Sequence, residues 1–165
     1  MTRERAPSTP ANRALRAAGV AFSEHFYAYV EHGGTEVAAR ALGVEERRVL
    51  KTLVFEGDGR GLVVLMRGDR EVSRRQLGRV LGLKRVELCA PQRAEKLSGY
   101  RVGGTSPFGL RTPMPVCVER SAIEDVGGPL FVNGGSRGYL VGLALADLVR
   151  VLDPTPVDVA EPPAA

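Results

Sequence analysis

Apolar positions along the chain fall into two rhythms. Short dense runs, "RVLKTLVF", "LVVLM", "KRVELC", "PVCVE", "LFVN" and "GYLVGL", read as strands. Between them, "TPANRALRAAGV", "GTEVAARALGV", "SRRQLGRVLG", "APQRAEKLSG" and "ALADLVRVL" repeat apolar residues every three or four positions, the helical period. Boundary signals agree with this division. Ser8 or Thr9 can cap the first helix, with Pro10 in its first turn and Gly19 after its end. Thr35 and Gly43 bracket the second. Ser73 and Gln76 have capping-box spacing in the third, where Leu77, Val80 and Leu81 form the core stripe, and Pro91 and Gly99 bracket the fourth. "VAFSEHFYAYV" and "YRVGG" read as further extended segments. The turn "EGDGRG" predicts a hairpin over residues 49–66. Short turns join several strand pairs, so the pattern predicts a mixed sheet and an α+β fold. Residues 1–8 read as a flexible basic tail, 9–153 as a single domain, and the proline-rich 154–165 as a disordered tail.

One polar residue breaks the pattern. Lys51 sits inside the most strand-like segment, and lysine is scarce: 20 of the 23 basic residues are arginine, leaving Lys51, Lys84 and Lys96. Alternation places Lys51 with Leu53 and Phe55 on one strand face, and Leu50, Thr52 and Val54 on the other. An ammonium among apolar neighbours must reach water, a carboxylate or an anionic ligand. A lysine snorkelling to solvent from the strand end and a lysine aimed at a bound anion both satisfy that condition.

Composition narrows the classes. At 44% hydrophobic and 25% charged the chain suits a soluble domain, and its longest apolar runs are too short to cross a bilayer. No charged stretch followed by an apolar one opens the chain, so no secretory signal is expected. Cys89 and Cys117 are isolated and read as free thiols of a cytoplasmic protein. No His, Cys or acidic cluster has metal-ligand spacing, and neither a Walker loop nor a dinucleotide fingerprint occurs, so no metal or cofactor is expected. The net charge is +4. Residues 67–93 concentrate it, with eight basic side chains against three acidic ones, a local excess suited either to a polyanion or to an ordinary solvated face. Arg74, Arg75 and Arg79 lie on one predicted helix there.

Two glycine-rich turns, "VGGTSPFG" at 102–109 and "FVNGGSRG" at 131–138, could bring backbone N–H groups close to a phosphate or a developing oxyanion. The segment "EHFY" places His25 and Tyr27 on one strand face.

The succession "HFY", "KTL" after a helix, "GYRVGGTSPFG", "FVNGGSRG" and "LADLVRVL" resembles the YbaK/EbsC-type aminoacyl-tRNA deacylases, free-standing relatives of the editing domain of bacterial prolyl-tRNA synthetases. The resemblance runs from Thr9 to Leu152. It implies a mixed, β-barrel-like sheet surrounded by helices, and the removal of a wrong amino acid from tRNA, with cysteinyl-tRNA(Pro) the substrate of its best-known members. It further implies catalytic roles for Lys51, Gly103 and Tyr27. Substrate contacts would come from Thr52, Gly104, Ser106, Pro107, Asn133, Gly134 and Gly135. Aminoacyl-tRNA is the implied partner, with a prolyl-tRNA synthetase as a second. In cysteine-specific members the substrate thiol itself attacks the ester, so the enzyme needs no nucleophile of its own. Phosphate contacts by Arg74, Arg75 and Arg79 are expected from charge alone, not from the family. Three departures bear on the amino acid: Asn133-Gly134-Gly135 replaces Ser-Gly-Gly, Leu140 stands where an acidic residue is common, and Tyr29 replaces a histidine of some relatives. Hydrolytic clearance of alanine or serine, and a non-catalytic tRNA- or synthetase-binding module, remain the alternatives.

Overall fold

Capping and turn chemistry set most of the element boundaries. A computed structural model describes residues 6–124 and 127–163. Helix α1 (Pro10–Ala17) starts at Thr9, whose hydroxyl accepts from the Asn12 N–H while the Asn12 side chain accepts from the Thr9 N–H. Strand β1 (Ser23–Phe26) follows, then α2 (Gly34–Leu42), which ends at Gly43 in the left-handed conformation. Thr35 does not cap α2. The cap position is Gly33, and the Thr35 hydroxyl donates to the Gly68 carbonyl at 3.1 Å. A single 3-10 turn (Glu46–Arg48) leads into the expected hairpin, β2 (Leu50–Gly57) and β3 (Arg60–Arg67).

Helix α3 (Arg74–Leu81) carries half a capping box, Ser73 accepting from the Gln76 N–H. Its stripe is narrower than the sequence suggests: Leu77 is buried, but Val80 is 48% exposed. Strand β4 (Val86–Leu88), helix α4 (Pro91–Ser98), strand β5 (Val116–Glu119), the hairpin β6 (Leu130–Ser136) with β7 (Tyr139–Leu143), and helix α6 (Leu145–Leu152) complete the expected succession, to which the structure adds the one-turn helix α5 (Arg120–Ile123) after β5. "YRVGG" forms no strand. It is a loop tied down by Gly104 N–H donating to the Arg101 carbonyl.

The strands form two sheets, ordered β1-β7-β6 and β4-β2-β3-β5-β8, where β8 is Thr155–Val157. Pairing is antiparallel except for β3 with β5 and β5 with β8, so the larger sheet is mixed, as expected. An isolated parallel bridge between Val49 and Phe131 joins the two sheets, but among the described residues they do not close into a barrel. The main core lies between them, built around Leu15, Val63, Leu65, Tyr139 and Leu148; a second core under α3 holds Phe55, Val64, Met66 and Leu77.

Both predicted tails need correction. Residues 1–5 and 164–165 lie outside the described residues, but Ala6 packs against the main core and the Pro7 carbonyl accepts from the Asn12 side chain. At the other end, 154–163 is not a disordered tail. Val157 and Val159 are 2% and 0% exposed and belong to the second core, β8 extends the sheet, and Val72 bridges Ala160. Proline suits this edge position because an edge strand can spare a donor. The Val159 N–H donates to the Glu119 carboxylate, which is buried at the end of β5.

Burial, partly offset by the Val159 N–H, raises the Glu119 pKa from its ordinary value. A group raised on folding favours the fold while it is protonated, and that contribution is lost as pH climbs through its folded pKa. Glu119→Gln therefore should unfold at a higher temperature than the parent at pH 7. The gap should shrink as pH falls toward the pKa of an unfolded glutamate, as read by thermal denaturation at several pH values.

Candidate active site

Strand β2 positions the lysine. Phe55 and Leu53 face α3 and the second core, Leu50 faces the main core, and Val54 packs with Cys89 and Leu97, so both faces of the strand are covered. Its edges differ along its length. Strand β3 covers one edge throughout, but β4 pairs only with Phe55–Gly57, followed by the Cys89 N–H donating to the Val54 carbonyl. Residues 50–53 have no β4 partner on the other edge and line a cleft of about 440 Å³. Antiparallel alternation that turns the Val54 carbonyl toward β4 also turns the Thr52 N–H and carbonyl to this edge. The Thr52 hydroxyl is buried and has no hydrogen-bond partner. A buried unpaired hydroxyl is expensive.

Lys51, Tyr27, Thr52, Gly103 and Asn133, predicted from separate segments, all line this cleft. The Lys51 side chain is 19% exposed and its ammonium is held, donating to Glu71 Oε1 at 2.7 Å and to the Arg70 carbonyl at 2.8 Å. An ammonium has three N–H donors, so one remains uncommitted. Tyr27 lines the cleft from the chain leaving β1. Burial, reinforced by nearby Tyr29, raises its hydroxyl pKa. Cys89 also lines the cleft, and burial followed by the charge of Glu56 pushes its thiol up, so it stays protonated and weakly nucleophilic at neutral pH.

The two glycine loops meet at Asn133. Its side-chain oxygen accepts from the Gly135 and Ser136 N–H groups, and its amide donates to the Gly103 carbonyl at 3.1 Å. Gly103 has φ +89°, and a Cβ there would fall 2.5 Å from the Tyr29 hydroxyl and 3.0 Å from its ring. The glycine is thus required both by its backbone angle and by Tyr29 lying over it.

Other predicted contacts do not reach the cleft lining. Ser106 is wholly buried and its hydroxyl accepts from the Phe108 N–H, while Pro107 and Gly104 are buried within the same loop. The Gly134 carbonyl accepts from the Thr9 hydroxyl, and a Cβ at Gly135 would strike Tyr100 and Thr9. These residues shape the loops and do not face the cavity. Thr105, Tyr29, His32 and the apolar Val37, Ala38, Val102 and Leu140 line it instead. His25 lies elsewhere, bonded to the Ser23 hydroxyl at 2.7 Å and set edge-on against Phe131. Arg74, Arg75 and Arg79 sit with Lys84 around a separate groove, where Glu161 is the acidic member.

Comparison with known proteins decides the family. The aminoacyl-tRNA editing domain family matches residues 32–151, most of the chain. The chain belongs to that family. This editing domain is 33% identical over 138 residues to EbsC of Enterococcus faecalis, named as a candidate Cys-tRNA(Pro)/Cys-tRNA(Cys) deacylase; the match covers 82% of this chain and 83% of EbsC. It is 36% identical over 116 residues to the proline–tRNA ligase of Nitratidesulfovibrio vulgaris strain DP4, covering 70% of this chain but 18% of the ligase. A solved structure of a candidate trans-editing enzyme for prolyl-tRNA synthetase superposes with a TM-score of 0.82 at 23% identity, covering 95% of this chain and all of that one, so the editing domain shares its fold. No helix among the described residues is long and apolar enough to cross a membrane.

Proposed function

We propose that this editing domain removes cysteine from mischarged tRNA(Pro), acting in the cytoplasm and in trans to a prolyl-tRNA synthetase. Membership of the family and the likeness to EbsC support aminoacyl-tRNA deacylation. The observation that carries the catalytic reading is the meeting of Lys51, Thr52 and Gly103 in one cleft of about 440 Å³.

In the proposed reaction the substrate's own thiol sulfur attacks the ester carbonyl carbon. The bond to the ribose oxygen breaks, and that oxygen takes up the proton the thiol releases. A four-membered thiolactone and free tRNA result. Lys51, with one free N–H, and the edge of β2 at Thr52 supply donors to the ester and the developing negative charge. Tyr27, with its raised pKa, acts as a neutral donor lining the cleft. Gly103 lets the loop backbone approach the ester. Thiol-assisted cleavage needs no nucleophile from the protein, and Cys89 and Tyr27 in the cleft are both pushed toward their neutral forms. Apolar groups such as Val37, Ala38 and Leu140 suit a small, weakly polar side chain.

Turnover of cysteinyl-, alanyl- and seryl-tRNA(Pro) at sub-stoichiometric enzyme, with product analysis, tests this. Thiolactone from the cysteine substrate supports the thiol-assisted route. Free amino acid from alanyl- or seryl-tRNA, with cysteinyl-tRNA spared, overturns the specificity, and binding without turnover overturns the enzyme.

The tRNA body is proposed to reach the groove of α3. Arg74, Arg75, Arg79 and Lys84 make no ion pair among the described residues, in contrast to Arg67, Arg93 and Arg120. Unpaired guanidinium groups are available for phosphates. Combined Arg74→Ala, Arg75→Ala and Arg79→Ala substitution should raise KM for tRNA and leave kcat unchanged. It should also flatten the salt dependence of binding by about 0.9 for each duplex phosphate that is no longer neutralised. An unchanged salt slope would remove the groove from the interface.

A further inference from the structure

The ammonium of Lys51 is held by a short segment between β3 and α3, and that segment is in turn held by the far end of the chain. Glu71 supplies the carboxylate and Arg70 the carbonyl that accept from Lys51. The Glu71 carbonyl accepts from the Glu161 N–H at 2.8 Å, and the Arg70 guanidinium donates twice to the Glu161 carbonyl, at 3.1 and 2.6 Å. The Ser73 N–H donates to the Val159 carbonyl at 2.7 Å, and Val72 bridges Ala160. Residues 157–161 thus lie along 70–73 as a strap, anchored by the buried Val157 and Val159. On the other side, Gly68 packs so closely that a Cβ would fall 2.5 Å from the Glu46 and Val49 carbonyl oxygens.

We propose that Glu71, together with the strap that fixes its backbone, is a positioning element that aims the Lys51 ammonium at the ester. The proposal rests on the reading of Lys51 as a catalytic residue. Stability does not account for the pair: the Glu71 side chain is 76% exposed, and exposed ion pairs contribute little. Geometry does account for it. A lysine side chain has four rotatable bonds, and a free ammonium would sample much of the cleft mouth. Two acceptors on a clamped segment confine it and leave its third N–H for the substrate. Glu71 need not touch the substrate to matter, because a small misplacement of a catalytic group slows the chemical step steeply.

The test is single-turnover deacylation of cysteinyl-tRNA(Pro) at saturating enzyme, together with steady-state KM, for Glu71→Ala, Glu71→Gln and a chain ended after Ala160. Glu71→Ala should slow the chemical step about 10- to 100-fold with KM and the melting transition unchanged. Glu71→Gln, whose amide oxygen can still accept from Lys51, should recover most of the rate. The truncated chain keeps Val157 and Val159 but lacks the Glu161 backbone hydrogen bonds, and should slow the same step. A chemical step unchanged or faster in Glu71→Ala would overturn the proposal, as would a loss not recovered by Glu71→Gln. Lys51→Ala run alongside separates the two ideas. If it keeps its activity, the reading of the site fails; if it is inactive while Glu71→Ala matches the parent, only the positioning role fails.

Discussion

Lys51→Ala is expected to lower kcat/KM for cysteinyl-tRNA(Pro) by about 10²- to 10³-fold, the loss typical of removing one aimed donor from an oxyanion site. Its fold should persist. The pair it breaks is largely solvent-facing at Glu71, so the stability change should stay within about 1 kcal/mol. Neighbouring Leu50, Val54 and Phe55, which carry the strand's packing, are untouched. Circular dichroism melts and single-turnover kinetics together check the expectation. A protein that unfolds on this change would make Lys51 a structural residue. A folded protein with full activity would move catalysis elsewhere in the cleft.

Gly103→Ala is expected to have the second largest effect. Its Cβ would sit 2.5 Å from the Tyr29 hydroxyl at a φ of +89°, which side-chain-bearing residues rarely adopt. The loop must shift or Tyr29 must leave its place, where it also lies 4.9 Å beneath the Arg137 guanidinium. Either movement disturbs the Asn133 bond to the Gly103 carbonyl and widens the cleft. A strained site of this kind costs roughly 1–3 kcal/mol. Losing the same amount from transition-state stabilisation means about a 10- to 100-fold fall in kcat/KM. The damage should concentrate in catalysis, since residue 103 is exposed and the core lies elsewhere. Measured kcat/KM beside the melting temperature separates the two, and an active Gly103→Ala enzyme would mean that this loop does not approach the ester.

Much of the fold was legible because local signals were unambiguous. Thr9 and Pro10 open α1, Gly43 and Gly99 close α2 and α4, and the Asp58-Gly59 turn yields the β2–β3 hairpin. What failed was information held in tertiary contacts. The proline-rich end looked unstructured because its residues form no regular pattern by themselves. Val157 and Val159 gain order only by entering a core made of β2, β3, β5 and α3. Thr35 looked like a cap, but Gly33 starts the helix and the Thr35 hydroxyl is drawn to Gly68, far along the chain.

For the site, Lys51 announced itself as a charge in an apolar strand, and Tyr27, Thr52, Gly103 and Asn133 followed from the resemblance; the fold gathers all five. Ser106 and Gly134 belonged to the right loops but face inward, because which side of a glycine-rich turn meets solvent is decided by what packs against it. Glu71 had no sequence signal. It lies 20 residues from Lys51, in a segment whose course depends on the strap from residues 157–161.

The proposed deacylation requires that the Lys51 amine meet the aminoacyl end of the substrate. Three lysines make a direct test simple. The parent protein is treated with an amine-acylating reagent, with and without a saturating amide-linked 3′-cysteinylamino-3′-deoxyadenosine, and modification of each lysine is followed by mass spectrometry. The bound analogue should shield Lys51 in proportion to its occupancy, while Lys84, in the separate groove, and Lys96, on α4, react as before. Equal modification of Lys51 with and without the bound analogue would contradict the catalytic role of that amine.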